Sequence, residues 1–258
     1  MPPTLDPFDT TAVVHEHRPP YPDRPWVLAN FVSSADGAAT GPDARSGTLS
    51  GPADKALFQA LRAAADVVLA GAGTVRTENY GRPRLTDEQQ ELRRSQGRPP
   101  LPRLAVVSAS LRLDPTARFF AEAPDDQQPI VLTTAAALGD APDRAAELAA
   151  VAAVHPAGET TVDWGRALHL LHGELGADVV LAEGGPTVIG QLVTADLLDE
   201  LCLTVAPLVV GGDASRIVAG ARPEHALAQR LDRIFTTDGF LFLRYLRDRD
   251  ADTSASDS

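Results

Sequence analysis

Across 258 residues, 44% of them hydrophobic and carrying a net charge of −12, the chain can bury a sizeable core and repels nucleic acid and anionic membranes; a phosphate-bearing ligand must be met by local arginines and helix ends. Cys202 is the single cysteine, which excludes an intrachain disulfide and any multi-cysteine zinc or iron–sulfur site, and with Lys55 the only lysine, Arg carries nearly all the positive charge. A basic amino-terminal region backed by an apolar run is missing, as is any apolar run of membrane-spanning length, so a soluble cytoplasmic protein is the expectation.

The first 25 residues hold Pro2, Pro3, Pro7, Pro19, Pro20, Pro22 and Pro25 and read as an extended arm. His15-Glu16-His17 has metal-ligand residue types, but with no further His or Cys near it a solvated or interface arm is expected, and no metal site is predicted. Trp26 to Phe31 is the first core strand, ending in the polar turn Ser33-Ser34-Ala35-Asp36-Gly37. SGTLSGP at 46–52 leads into a helix with Gly51 as N-cap and Pro52 at its first position; Leu57, Phe58, Leu61 and Ala65 form its apolar face, with Arg62 at the margin. Asp66 to Leu69 is a second strand, followed by the glycine-rich turn 70–74 (AGAGT), which lacks the third glycine of the dinucleotide fingerprint. Glu78 to Arg84 form a loop that places Arg82 and Arg84 near the same sheet edge, and 86–102 reads as a surface helix and connector.

Leu104 to Ser108 is a strand ending in Ser-Ala-Ser with Arg112 shortly after, a Ser/Arg pair able to hold a nucleotide phosphate, a 2′-phosphate included. Ile130 to Thr133 and Val151 to Val154 are short strands flanking an alanine-rich helix around Arg144 to Ala150. Asp163 caps a helix carrying Trp164, Ala167, Leu168, Leu171 and Leu175 at helical spacing, Gly176 ends it, and His169 and His172 read as a surface pair. Val179 to Ala182 is a buried strand that passes through Glu183, Gly184, Gly185 and Pro186 into a helix with Val188, Ile189, Leu192 and Val193 on its apolar face. Two glycines followed by Pro at the first helical position let backbone approach a ligand, and the free N–H groups of that helix favour an anion such as phosphate; the plain alternative is a tightly packed connection. Glu200 to Ala206 and Ile234 to Arg247 supply more strand, the latter broken by a hairpin turn at Asp238-Gly239, and the tail at 248–258 is predicted to be disordered. The alternation predicts an α/β fold: a mostly parallel central sheet flanked by helices, finished by an antiparallel C-terminal hairpin.

SSADG at 33–37, SGP at 50–52, AGAGTV at 70–75, VVSASLR at 106–112 and AEGGPT at 182–187 with the LLDELCLTVAPLVVGG segment behind it together resemble the reductase domain of riboflavin biosynthesis. The resemblance runs from about Trp26 to Leu246 and implies a dihydrofolate-reductase-like fold in a reductase domain at 26–247, standing alone without the zinc deaminase domain of many bacterial members. It also implies NADPH as cofactor and a phosphorylated small-molecule substrate, with 5-amino-6-(5-phosphoribosylamino)uracil reductase-like chemistry that turns ribose into ribityl. Carried over by position, Gly184, Gly185, Pro186 and Thr187 would cradle the pyrophosphate, Thr48, Thr74 and Glu78 would touch the cofactor, and Ser108 would sit near its adenosine phosphate. Asn30, Ser46, Arg62, Arg84 and Glu183 would meet the substrate, Arg62 and Arg84 as phosphate clamps, and Asp36 and Glu183 would orient polar groups or relay a proton. Asn30 stands where many bacterial members have Lys and archaeal stand-alone reductases have Asn, SADG replaces the usual SLDG, and ENYGRPRL replaces a DDPxLT loop. The apolar LCLTVAPLVV and FLFLRYL strands, in the region through which family members pair, predict a homodimer. The alternatives are reduction of dihydrofolate, a pterin or another small molecule on the same fold, and a non-catalytic nucleotide-binding protein.

Overall fold

The computed structural model describes residues 5–6, 8–124 and 126–251. In chain order the elements are β1 (Leu5–Asp6), α1 (Thr10–Val14), β2 (Trp26–Ser34), α2 (Pro52–Ala64), β3 (Val67–Gly71), α3 (Ala72–Thr77), α4 (Asp87–Ser95), β4 (Arg103–Val107), α5 (Arg118–Ala121) and β5 (Ile130–Thr133). They continue with α6 (Ala135–Asp140), α7 (Pro142–Ala149), β6 (Ala153–Pro156), α8 (Trp164–His169), β7 (Val179–Ala182), α9 (Pro186–Thr194), β8 (Glu200–Ala206), β9 (Gln229–Thr237) and β10 (Phe240–Arg247). Two compact units share these elements: of the described residues, unit one draws on those within 5–16, 27–61 and 186–251, unit two on those within 17–26 and 62–185.

In unit two the strand order is β7-β3-β4-β5-β6, parallel throughout. Strands β3, β5 and β7 are buried at every position, as continuous runs such as Val179-Val180-Leu181-Ala182 require when helices cover both faces of a parallel sheet. Because every strand runs the same way, the residues that follow β3, β4, β5 and β7 emerge along one edge, where open α/β sheets bind ligands. Unit one has the order β1-β9-β10-β8-β2, in which β10 pairs antiparallel with both neighbours while β2 runs parallel to β8. Along β8 burial alternates, with Glu200, Cys202, Thr204 and Ala206 inward. Asp238 and Gly239 both take positive φ and make the β9–β10 hairpin turn that their sequence predicts. The α/β class, with antiparallel pairing confined to the carboxyl-terminal strands, is as expected.

Several segments differ from the sequence reading: the strand expected at Val151 to Val154 is shifted to Ala153–Pro156, and the helix expected to run to Gly176 leaves α-helical geometry after His169 for a π-helical stretch, Leu170–Glu174. The turn at 70–74 is instead a direct strand-to-helix junction, since Gly71 stays extended as N-cap and α3 starts at Ala72. Helix α4, read as a surface element, carries Arg93, which is 1% exposed. Its Nη1 donates to Ala63 O at 2.9 Å and Arg98 Nη1 donates to Ala64 O at 2.8 Å, so these arginines satisfy carbonyls that the end of α2 leaves unpaired. The amino-terminal segment holds more than an extended arm: Asp9 caps α1, Val13 and Val14 are buried, and the Phe8 ring packs on Phe235 and Phe242. Glu16, expected in a solvated or interface arm, ion-pairs with Arg233 at 2.6 Å and Arg244 at 2.8 Å. Of the tail expected to be disordered, 252–258 lie outside the described residues; just before them Arg247 and Arg249 pair with Asp196, and Arg249 also pairs with Asp199. Among the described residues no helix is long and apolar enough to cross a membrane.

Helix α9 is held by a close backbone approach: Ala219 N donates to Pro186 O at 3.1 Å, and a Cβ built on Gly190 would lie 1.8 Å from Ala219 O. Replacing Gly190 with Ala should therefore cost roughly 1–3 kcal/mol, the range for overpacking. The urea midpoint is expected to fall with an unchanged slope, and an unchanged midpoint contradicts the packing role of Gly190.

Candidate active site

At the carboxyl edge of unit two, β7 hands over to Glu183, whose backbone N–H donates to Leu69 O at 2.9 Å, and to Gly184, whose carbonyl accepts from Gly71 N–H at 2.7 Å. These two bonds continue the β3–β7 ladder past the end of β7 and set Gly184 beside Gly71. The Gly184–Gly185 peptide is cis, and Gly184 has φ +114°. A Cβ on Gly185 would stand 3.0 Å from Thr74 Oγ1, so the structure brings together Thr74 and Gly185, two residues assigned to the cofactor from sequence. Pro186 opens α9, with Thr187 exposed in its first turn.

Ser108 follows β4 on the same edge. Its N–H donates to Leu132 O at 3.0 Å and its carbonyl accepts from Thr133 Oγ1 at 2.8 Å, yet its buried hydroxyl has no hydrogen-bond partner. Glu78 is exposed at the end of α3, its N–H bonded to Thr74 O at 3.0 Å. Arg112 is exposed, and its carbonyl accepts from Arg76 Nη1 at 2.9 Å.

Glu183 is the most constrained of the predicted site residues. Its side chain is 1% exposed and meets the Arg62 guanidinium in a fork, Nε to Oε1 at 2.6 Å and Nη2 to Oε2 at 2.7 Å. Burial pushes the Glu183 carboxyl up, and the Arg62 charge pulls against that rise. Arg62 Nη2 also donates to the Tyr80 hydroxyl at 2.8 Å, and the guanidinium lies 5.4 Å from the Tyr80 ring. This differs from the reading of Arg62 as a phosphate clamp: its fork is turned onto a carboxylate of its own chain. Arg84 is exposed, and neither Arg84 nor Arg82 makes a side-chain hydrogen bond among the described residues. Tyr80 escaped the sequence reading; an aromatic set among charged loop residues after the second glycine turn was its only signal.

Unit one holds the remaining predicted residues. Asn30, in β2, is buried with Oδ1 unpaired. Ser46 is exposed at the start of a short 3-10 turn, and the Thr48 hydroxyl at its end donates within the loop, to Asp43 Oδ1 and Arg45 O, each at 3.0 Å. Asp36 is exposed but spoken for: Oδ1 accepts from the Ser34 hydroxyl and, at 3.2 Å, from Val210 N–H, while Oδ2 accepts from Gly211 N–H at 2.7 Å. The Ser34 hydroxyl first, then the Gly211 and Val210 amides, hold its carboxyl down at about 2. Asp36 is thus ionised at neutral pH and fixes the loop after β8, which leaves it no proton to give. Among the described residues no group of three or more His, Cys, Asp or Glu could hold a metal.

Fold and site together define an α/β protein of the pyrimidine-reductase type. A pyrimidine reductase-like protein from Corynebacterium diphtheriae is similar at a TM-score of 0.79 and 29% identity, over 88% of this chain and 94% of that one. The model of the RibD C-terminal domain matches residues 25–240, and the chain belongs to that family. Two relatives named 2,5-diamino-6-ribosylamino-4(3H)-pyrimidinone 5′-phosphate reductase, from Archaeoglobus fulgidus and Methanothermobacter thermautotrophicus, are each 31% identical. The first match covers 76% of this chain and 86% of the relative, the second 86% and 98%. Membership in this family of reductases implies a nicotinamide cofactor.

The Asp36 tether has a pH signature. Its folded value of about 2 lies below the ordinary 3.8, so the tether is complete above 3.8 and is lost as pH falls through 2. The Gly211 and Val210 amide proton shifts are expected to titrate with a midpoint near 2 by NMR. A midpoint at or above 3.8 contradicts the arrangement.

Proposed function

We propose that this chain is an NADPH-dependent reductase of 2,5-diamino-6-ribosylamino-4(3H)-pyrimidinone 5′-phosphate, reducing the ribose to a ribityl chain. The observation that carries the reading is Glu183, buried and locked by Arg62 at the end of β7, immediately before Gly184-Gly185-Pro186. The relatives' named substrate keeps its 2-amino group, so the diaminopyrimidinone takes precedence here over the uracil form that the sequence suggested.

The residues present fit a dinucleotide. Gly185 offers bare backbone beside Thr74 Oγ1, and Ser108 offers a buried hydroxyl in need of a partner. Pro186 and Thr187 open a helix whose first amides suit a pyrophosphate. Arg112, four residues past Ser108, supplies the charge for a 2′-phosphate and hence the preference for NADPH. When bound, the nicotinamide supplies the hydride that C1′ of the opened ribose accepts.

The chain's own residues then bind and orient. Glu183, held by the Arg62 fork, keeps acceptor capacity on both oxygens for substrate hydroxyl or amino donors. Arg84 takes the substrate phosphate, a role for which its exposed guanidinium is suited. Exposed Leu208, Val209 and Leu241, with Val209 at 81%, support association of two copies as a homodimer.

NADPH oxidation should be rapid with the diaminopyrimidinone phosphate and negligible with dihydrofolate. Arg84→Ala should lower kcat/KM about ten- to a hundred-fold, chiefly through KM for the substrate, while NADPH affinity stays put. Turnover of dihydrofolate alone, or NADPH binding without oxidation of any candidate, contradicts the proposal. Separately, Arg112→Ala is expected to raise KM for NADPH about ten-fold and to leave KM for NADH unchanged; equal effects on both would remove Arg112 from the 2′-phosphate.

A further inference from the structure

At the opposite, amino-terminal edge of the unit two sheet lies a cavity of about 460 Å³. Val67 and Arg103, the first residues of β3 and β4 and partners in register, stand on its wall. The strands are five residues long, roughly 16 Å, so this cavity is well separated from Ser108, just past the far end of β4. Its volume falls within the range of small-molecule sites.

Three arginines line it, Arg93, Arg98 and Arg103, against Asp66 and Asp126. In a chain of net charge −12 this is a locally cationic spot. Most of these charges already have partners. Arg93 and Arg98 donate to carbonyls at the end of α2, and Asp66 Oδ2 accepts from the Asp178 and Val179 N–H groups, each at 3.0 Å. Arg103 differs: its Nε donates to Gln128 O at 2.6 Å, while neither Nη has an acceptor among the described residues. Burial pushes the Arg103 guanidinium down, and Arg93 falls to about 10 through burial and the neighbouring Arg98, so Arg93 stays charged at neutral pH.

The second observation is independent of the charges. Gln127 lines the same cavity, is 7% exposed, and has neither Oε1 nor Nε2 paired. A buried carboxamide with both ends unsatisfied is costly unless something that donates and accepts sits against it. We propose that this cavity is a second ligand site, distinct from the reductase centre, for a small organic phosphate whose neutral part presents an adjacent donor and acceptor. Arg103 meets the phosphate, and Gln127 reads the donor–acceptor edge, as a carboxamide pairs with a cyclic imide.

Uridine 5′-monophosphate carries both features and is the probe; uridine and inorganic phosphate each carry one. Titration of the full chain, followed by NMR on the Gln127 side-chain amide and the Arg103 Nε–H, should show saturable shifts with the nucleotide. Uridine and phosphate alone should each bind at least about ten-fold more weakly. Arg103→Ala, read at Gln127, and Gln127→Leu, read at Arg103, should each weaken nucleotide binding about ten-fold while turnover in phosphate-free buffer stays at the wild-type level. Gln127→Leu removes no hydrogen bond of the fold, so it carries the test if Arg103→Ala does not fold. Absence of saturable shifts at both signals, or affinity that survives the substitutions, overturns the proposal.

Discussion

A buried carboxylate is expensive to keep ionised, and at Glu183 burial raises the carboxyl while one partner, Arg62, opposes that rise. The Arg62 fork supplies two charge-assisted bonds and an opposite charge, and its Nη2 donates a further bond to the Tyr80 hydroxyl. Removing either charge strands the other in a nearly dry environment, at a cost of about 3–5 kcal/mol for a pair buried to this degree. The pair also ties the last turn of α2 to the end of β7, just where the chain enters Gly184 and Gly185. The geometry of the glycine turn, its approach to Thr74 and the direction of the Glu183 carboxylate all depend on it.

The two carboxylates picked out as catalytic are therefore set apart by their surroundings. Glu183 is desolvated, and its carboxyl is raised by that burial although the Arg62 charge opposes it; Asp36 is exposed and is lowered by a hydroxyl and two amides. The first is a positioned acceptor at the sheet edge, the second a clasp for the loop after β8. Asp36, held down at about 2, is not poised as a proton donor near neutrality.

The strands were readable because parallel strands buried on both faces leave uninterrupted β-branched runs, and 130–133, 179–182 and 200–206 fall where the sequence places them. Glycine pairs after strands marked both turns of the site, and Ser108 was visible as the polar end of an apolar strand. Partners were not readable. Arg62 and Glu183 are 121 positions apart, and a charge on the margin of an amphipathic helix looks the same whether it faces solvent, a phosphate or a buried carboxylate. Arg93 was lost to the same ambiguity: only the fold shows that α4 lies against the unpaired carbonyls of α2. In the amino-terminal segment the prolines on either side concealed α1, a single capped turn anchored by Phe8 and Glu16.

What separates a positioned Glu183 from two independent binding groups is a double-substitution cycle on catalytic efficiency, with Arg62→Gln, Glu183→Gln and the pair together. If Arg62 acts through Glu183, the double variant loses no more than the worse single variant, because the two residues work as a unit. If the losses multiply, Arg62 touches the substrate on its own account, and the central claim about this site is wrong.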